Sequence, residues 1–325
     1  MNKSRFILLF PLFLVVASIL GTIRCTVQNG TTIPPTTELH KQTNAIYYWK
    51  TVFRLSEQEK VFLKREKVGR IYLRMFDVTE GVPMAVPNAT ITFGTSVPSN
   101  VEIVPTIFIT VEALKQTADA NKLDVLAEKI VKRVAAICSW NDIENWEEIQ
   151  LDCDWTESTR DAFYILCQEV KKRTKGKLLS STIRLHQLTQ KVPPVDYGVL
   201  MVYNTDGFDE YLTVNSILNN KTVETYLNKK MEFNLPLDIA LPIFQWDIVF
   251  RGEKFVRIAK RYEDPDSSET IRHEQVPFEE LKETQQLLTK YLRITPNQHS
   301  IILYHLDSVN INNYRHEEIK NIYNN

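Results

Sequence analysis

The chain has 325 residues and a formal net charge of -1, with 43% hydrophobic and 24% charged residues. That is the make-up of an ordinary globular protein. Near neutrality also lacks the electrostatic footprint that nucleic-acid binding leaves. Lys171 to Arg173 and Lys229-Lys230 read as solvated helix surface, so no nucleic-acid partner is expected.

At the start of the chain, Lys3 and Arg5 precede an apolar run from Phe6 to Leu20 interrupted only by Pro11 and Ser18. Such a run is short for a membrane span and suits an export signal. Residues 1–24 are therefore expected to be a signal or anchor segment, and the protein to be exported: periplasmic, outer-membrane-attached or extracellular. Cys25 follows in an arrangement that resembles bacterial lipoproteins, although Arg24 stands where their motif has a small residue. Membrane contact is expected only through such a lipid or an uncleaved anchor. Residues 25–40, with Pro34 and Pro35 among threonines, read as a flexible tether. A single folded domain is expected over 41–325.

Within that domain the first strand is expected at 45–51. Ser56 and Glu59 then form a capping box for a helix through about 67, which Gly69 ends before a strand over 71–76. Residues 79–100 read as a long loop or added hairpin, followed by a strand at 103–110 and a helix at 123–136. The fourth strand, 148–154, is acidic. After it, Ser158 and Asp161 are expected to cap a helix running to 173. Further strands are expected at 178–185, 197–203, 237–246 and 301–305. Short helical segments fall within 208–230, a hairpin turns around Gly252 over 249–258, and helices cover 277–292 and 314–323.

Eight strands separated mainly by helices give an α/β fold, a (β/α)8 TIM barrel with a β-hairpin inserted after strand seven. The alternative, a doubly wound sheet, lacks its usual glycine-rich phosphate loops, and no nucleotide, metal or other cofactor is expected. Cys138, Cys153 and Cys167 have no metal-ligand spacing; Cys153 and Cys167 read as packed thiols, with a disulfide among the three left open.

Alternation along the fourth strand puts Gln150, Asp152 and Asp154 on one face and Leu151, Cys153 and Trp155 on the other. Two carboxylates on one face need solvent, a ligand or a counter-charge. Barrel ligands meet the carboxyl ends of the strands. That rule gathers Trp49, Arg74, Asp77, Arg184, His186, Tyr203, Asn204, Trp246 and Tyr304 around the aspartates as substrate-binding candidates. Aromatic plates with acids, an arginine and an amide suit a sugar, and paired carboxylates can run acid/base chemistry. Each has a plainer reading: the tryptophans as packing, Tyr203 as barrel filling, Arg184 as the neutraliser of Asp152, Asp77 as a turn cap.

The segments from Glu148 to Trp155 and from Leu200 to Asn204 resemble the fourth- and sixth-strand patterns of chitinase-like family 18 glycoside hydrolases. More closely, they resemble a group of uncharacterised bacterial barrels whose fourth strand reads Gln-Leu-Asp-x-Asp. The resemblance implies that Asp152 and Asp154 stand for the second and third aspartates of the family motif, with Ile149 in place of the first. It implies that Thr156 stands where the acid would be, that Glu157 falls one residue late, and that Tyr203 is the tyrosine assisting the acetamido group, followed by Asn204 in place of an acid. Trp246 closes strand seven, whereas the family's platform tryptophan belongs to strand eight.

The expected partner is a carbohydrate. The expected activity is hydrolysis of a polysaccharide or glycoconjugate, with Asp154 as acid/base, Asp152 as its electrostatic partner and Glu157 as substitute acid. The alternative is a catalytically inactive glycan-binding or scaffold barrel. Deacetylation or a lyase reaction is a further alternative, and a metal-dependent deacetylase would want a metal centre that His186, His273 and His305 do not announce.

Overall fold

The computed structural model describes residues 41–229, 233–259, 265–292 and 299–324. The expected signal or anchor segment, the tether and Cys25 lie outside them. The chain opens with β1 (Asn44–Tyr48), a short β2 (Val52–Phe53) and α1 (Glu57–Arg65), followed by the long β3 (Val68–Thr79). Ser56 and Glu59 form the anticipated capping box: the Ser56 side chain accepts from the Glu59 amide, and Glu59 accepts from the Ser56 amide. Short strands β4 (Val86–Asn88) and β5 (Thr92–Phe93) occupy the region read as a loop or hairpin, with β4 antiparallel to the end of β3.

β6 (Glu102–Ile109) is followed by α2 (Val111–Asp119), α3 (Leu123–Trp140), β7 (Glu148–Asp152) and α4 (Arg160–Arg173). Helix α2 was not anticipated; Thr110, read as a strand end, caps it by accepting from the Ala113 amide. The Ser158/Asp161 cap does not form, and the residue before α4 makes no side-chain capping bond. Thr159 is the residue before α4, and its hydroxyl accepts from the Thr156 amide at 3.0 Å.

The second half supplies β8 (Leu178–Arg184), β9 (Tyr197–Met201), α5 (Asn220–Leu227) and β10 (Leu237–Pro242). Next come β11 (Gln245–Arg251), β12 (Lys254–Ile258), β13 (Glu269–Gln275), α6 (Phe278–Leu292), β14 (Ile301–Tyr304), α7 (Ser308–Asn312) and α8 (His316–Asn324). The strands β1, β3, β6, β7, β8, β9, β10 and β14 pair side by side in parallel, and β1 closes the ring by pairing with both β14 and β3. This is the expected (β/α)8 barrel.

The insertion after the seventh barrel strand is larger than a hairpin. β11 pairs antiparallel with β12 around Gly252, whose φ of 59° is the left-handed conformation that favours glycine. β13 joins on the other side of β11 through seven paired positions. Its sequence, ETIRHEQ, has only one aliphatic residue to mark it, so its identity as a strand comes from its partner.

The core follows from the alternation along the strands. Leu151, Cys153 and Trp155 face outward and are buried under α4, where Trp155 stacks on Phe163 at 6.2 Å and meets Tyr164 edge-on at 5.7 Å. Burying each such apolar side chain stabilises the fold by roughly 1.5–3 kcal/mol. Cys138, Cys153 and Cys167 are buried free thiols. Removing one cap tests the local reading: Ser56→Ala is expected to lower unfolding free energy by about 1 kcal/mol, measured by urea denaturation.

Candidate functional site

The inward side of β7 is polar along its length. Gln150 accepts from Tyr47 Oη at 2.7 Å and donates to Ser180 Oγ at 3.3 Å. One layer below, Glu148 accepts from Ser180 Oγ and Tyr197 Oη, and Tyr197 meets Tyr72 hydroxyl to hydroxyl at 3.0 Å. One layer above, Asp152 Oδ1 accepts from Thr182 Oγ1 at 2.7 Å. Glu148 belongs to the same face as the two aspartates and was missed as an interior group, although two-residue spacing from Gln150 was a signal for it.

Arg184 ends β8 and serves both aspartates. Its Nη2 lies 3.5 Å from Asp152 Oδ1, and its Nε donates to Asp154 Oδ1. Asp152 is buried, while Asp154 lies two residues beyond it, past the end of β7, with its side chain 53% exposed. Gln187, a residue the sequence reading did not select, fixes this geometry. Its Oε1 accepts from the Arg184 amide at 2.8 Å and its Nε2 donates to the Trp155 carbonyl at 2.9 Å. The turn after β8 is thereby tied to the end of β7.

Burial pushes the Asp152 carboxyl above its ordinary 3.8, Arg184 opposes the rise, and Asp154 adds to it. Burial also lowers His186, against the pull of Asp154, and lowers His305 to about 4. Tyr203 is raised by burial and then by Tyr304.

Asp154, Arg184, His186, Tyr203 and Asn204 line one cavity of about 270 Å3, together with Met201 and Tyr226. Asn204, with φ of 52°, follows the end of β9 and donates its amide to the Ile217 carbonyl at 2.7 Å. Left-handed backbone is a conformation asparagine tolerates.

Beside this cavity the aromatic candidates form a continuous series. Tyr304 stacks on Tyr203 at 4.8 Å and lies 5.8 Å from Trp49. Phe244 joins Tyr304 at 5.7 Å to Trp246 at 5.4 Å, edge-on to both. Phe244 was not anticipated. The Arg74 guanidinium lies 5.3 Å from the Trp49 ring centre.

The remaining acids near the mouth have other partners. Asp77 is gripped by Arg74 through both oxygens. Asp206 accepts from Asn219 and from Thr222 at 2.7 Å each. Asp307 caps α7 and pairs with Lys50 at 2.8 Å. Thr156 and Glu157 are exposed in the turn before α4, where the Thr156 hydroxyl lies 2.9 Å from that of Ser158. Trp246 points its indole Nε1 to Glu274 of β13 at 2.7 Å.

Solved structures share this barrel. The spore cortex-lytic enzyme SleL of Bacillus cereus superposes with a TM-score of 0.53 at 12% identity, over 87% of this chain and 75% of that one. A chitinase from Chromobacterium violaceum gives 0.53 at 10% identity, over 87% and 99%. A plant class V chitinase mutant from Cycas revoluta, in complex with (GlcNAc)3, gives 0.50 at 11%, over 86% and 99%. This chain resembles family 18 glycoside hydrolases in fold. No family model matches the sequence, and no curated protein does. The likeness to the chitinases is one of architecture, carried at identities where side chains have diverged.

Two outcomes follow from the shared arginine. Arg184→Met leaves buried Asp152 without its cation and is expected to cost roughly 3–5 kcal/mol in urea unfolding, most of it recovered by adding Asp152→Asn. The sign of the pH effect follows from the raised carboxyl. Folded Asp152 holds its proton to higher pH than the unfolded chain, so its contribution is full below 3.8 and is lost as pH rises through the raised value. The stability of wild type relative to Asp152→Asn should therefore fall across that window, as followed by urea midpoints.

Proposed function

We propose that this protein recognises a polysaccharide or glycoconjugate in the mouth of its glycoside-hydrolase-like barrel. The observation that carries this reading is the aromatic series Trp49, Tyr304, Tyr203, Phe244 and Trp246 set beside the Asp152–Arg184–Asp154 group. Ring faces suit the C–H faces of sugars, while Asp154, Arg184 and Asn204 suit hydroxyls and amides. The plant chitinase that shares the fold holds (GlcNAc)3, which supports a carbohydrate as the ligand class.

Recognition without cleavage is the first reading because of Thr156. It stands where the family resemblance puts the acid, and its hydroxyl is engaged with Ser158 in a turn. Hydrolysis is the second reading, with Asp154 as acid/base, Asp152 as electrostatic partner and Glu157 as substitute acid. The unequal surroundings of the two aspartates favour it: Asp152 is buried and raised, and Asp154 is half-exposed. Carboxylates separated in this way can divide acid and base roles.

Export also belongs to the proposal. It rests on the basic-then-apolar first twenty or so residues, with membrane contact only through a lipid on Cys25 or an uncleaved anchor.

The test is a glycan panel incubated with wild type and Asp154→Asn, read for both retained glycan and new reducing ends. Retained, uncut glycan whose affinity drops roughly tenfold in Trp49→Ala or Tyr304→Ala supports recognition. Products that vanish with Asp154→Asn support hydrolysis. Products unaffected by that substitution remove Asp154 from the acid/base role, and a panel in which nothing is retained or cut sinks both readings.

A further inference from the structure

A second cavity, of about 540 Å3, opens on the outside of the barrel, between β3 with the 85–91 segment and helix α3. That volume lies within the range of small-molecule sites, roughly 300–1,000 Å3. Phe76 and Ile91 form one apolar wall, and Leu126, Ile130 and Ile137 form the other. Trp140, 80% exposed, stands at the end of α3 where the groove reaches the surface.

The charged groups in this groove are of one sign. Lys129, Lys132 and Arg133 line it, and none of its lining residues is a carboxylate. Lys132 is paired with Glu128 along the helix. Lys129 and Arg133 have no acidic partner among the described residues. Lys129 Nζ rests 3.1 Å from the Met84 sulfur. Arg133 lies 5.3 Å from the Phe76 ring centre, donates Nη2 to Thr90 Oγ1 at 2.7 Å, and has a buried Nε with no hydrogen-bond partner among the described residues. Lys129 and Arg133 are four residues apart on α3 and so share one face. Lys129 is exposed and Arg133 half-buried, and with no counter-charge on either among the described residues, an anion seated between them would gain charge-assisted hydrogen bonds from both.

We propose that this groove binds a long-chain fatty carboxylate, free in solution. The carboxylate sits between Lys129 and Arg133, and the chain lies along Ile130 and Ile137 toward Trp140. A neutral apolar ligand would leave the two cations uncompensated, and a compact anion would leave most of the cavity unfilled. The site is separate from the barrel mouth, so its test is independent of glycan recognition.

The experiment titrates the full chain with cis-parinarate, a fluorescent long-chain polyene carboxylate, and with its methyl ester, below the concentration at which either aggregates. The expected result is saturable binding of the acid near one per chain and roughly tenfold weaker binding of the ester. Lys129→Met/Arg133→Met should also weaken the acid roughly tenfold while keeping the apolar stems. Ala136→Trp, which fills the groove, should abolish binding, and urea midpoints of both variants establish that they are folded. Equal affinity for acid and ester overturns the anionic head. Undiminished binding to folded Ala136→Trp overturns the location. Absence of saturation with the acid, alongside co-sedimentation with anionic phospholipid vesicles, would make this a membrane-facing surface and also overturn the proposal.

Discussion

The constraint on which the barrel depends is the polar inner face of β7. Glu148, Gln150 and Asp152 point into an interior where an unsatisfied polar group costs about 1–3 kcal/mol, and more when charged. Alternation leaves them no other direction unless Leu151, Cys153 and Trp155 surrender their places under α4. The strands opposite and beside β7 answer with hydroxyls: Tyr47 for Gln150, Ser180 and Tyr197 for Glu148, Thr182 for Asp152. A core filled by aliphatic side chains at those positions would strand the three polar groups. The register of β7 against β8 is thus held by side chains as well as by the backbone ladder, through Gln150 opposite Ser180.

At the top of the barrel the same requirement shapes the chemistry. Asp152 is too deep to be satisfied by water, so Arg184 is drawn to it, and Arg184 also reaches Asp154. One cation shared between two acids leaves the group short of one positive charge when both are ionised. The resulting local field faces the cavity at the exposed aspartate. Asp77, Asp206 and Asp307, which a sequence could offer as partners for Asp154 across the mouth, hold Arg74, the start of α5 and the start of α7. Their acidity serves the walls of the mouth, so a count of carboxylates near the strand ends overstates how many face the cavity without another partner.

Much of the barrel was legible because its strands are short apolar runs bounded by turns and separated by amphipathic helices. Ser56 with Glu59 announced α1, and the polar positions 150, 152 and 154 announced an inward column. What escaped had no local signature. β13 is charged and polar over most of its length and is a strand because β11 offers it an edge. Thr110 reads equally well as the end of β6 or the cap of α2. Gln187 and Glu274 act through contacts 32 and 28 residues away, with the Trp155 carbonyl and the Trp246 indole. Sequence spacing carries no trace of either. Arg184 was legible as a candidate with two readings, and its position against both aspartates makes the neutralising one concrete.

The aromatic residues of the mouth fall into two mechanical groups, and this bears on how recognition could be tuned. Trp49, Tyr203 and Tyr304 stand at or just beyond the ends of barrel strands, with Tyr304 stacked on Tyr203 and tilted against Trp49. Trp246 belongs to the insertion, and its indole is held by Glu274, a buried carboxylate that also accepts from the Ser216 amide at 2.9 Å, the Ser216 hydroxyl at 2.5 Å and Arg272 at 2.7 Å. Arg272 in turn donates to the carbonyls of Phe208 and Glu210. The loop after β9 and the inserted sheet are therefore one hydrogen-bonded unit, joined to the barrel aromatics through Phe244. A change within the insertion would shift Trp246 while leaving Tyr304 in place. In the proposed recognition, the side chains nearest Asp154 are fixed by the barrel, and those farther out can vary with the insertion without disturbing the aspartate–arginine group.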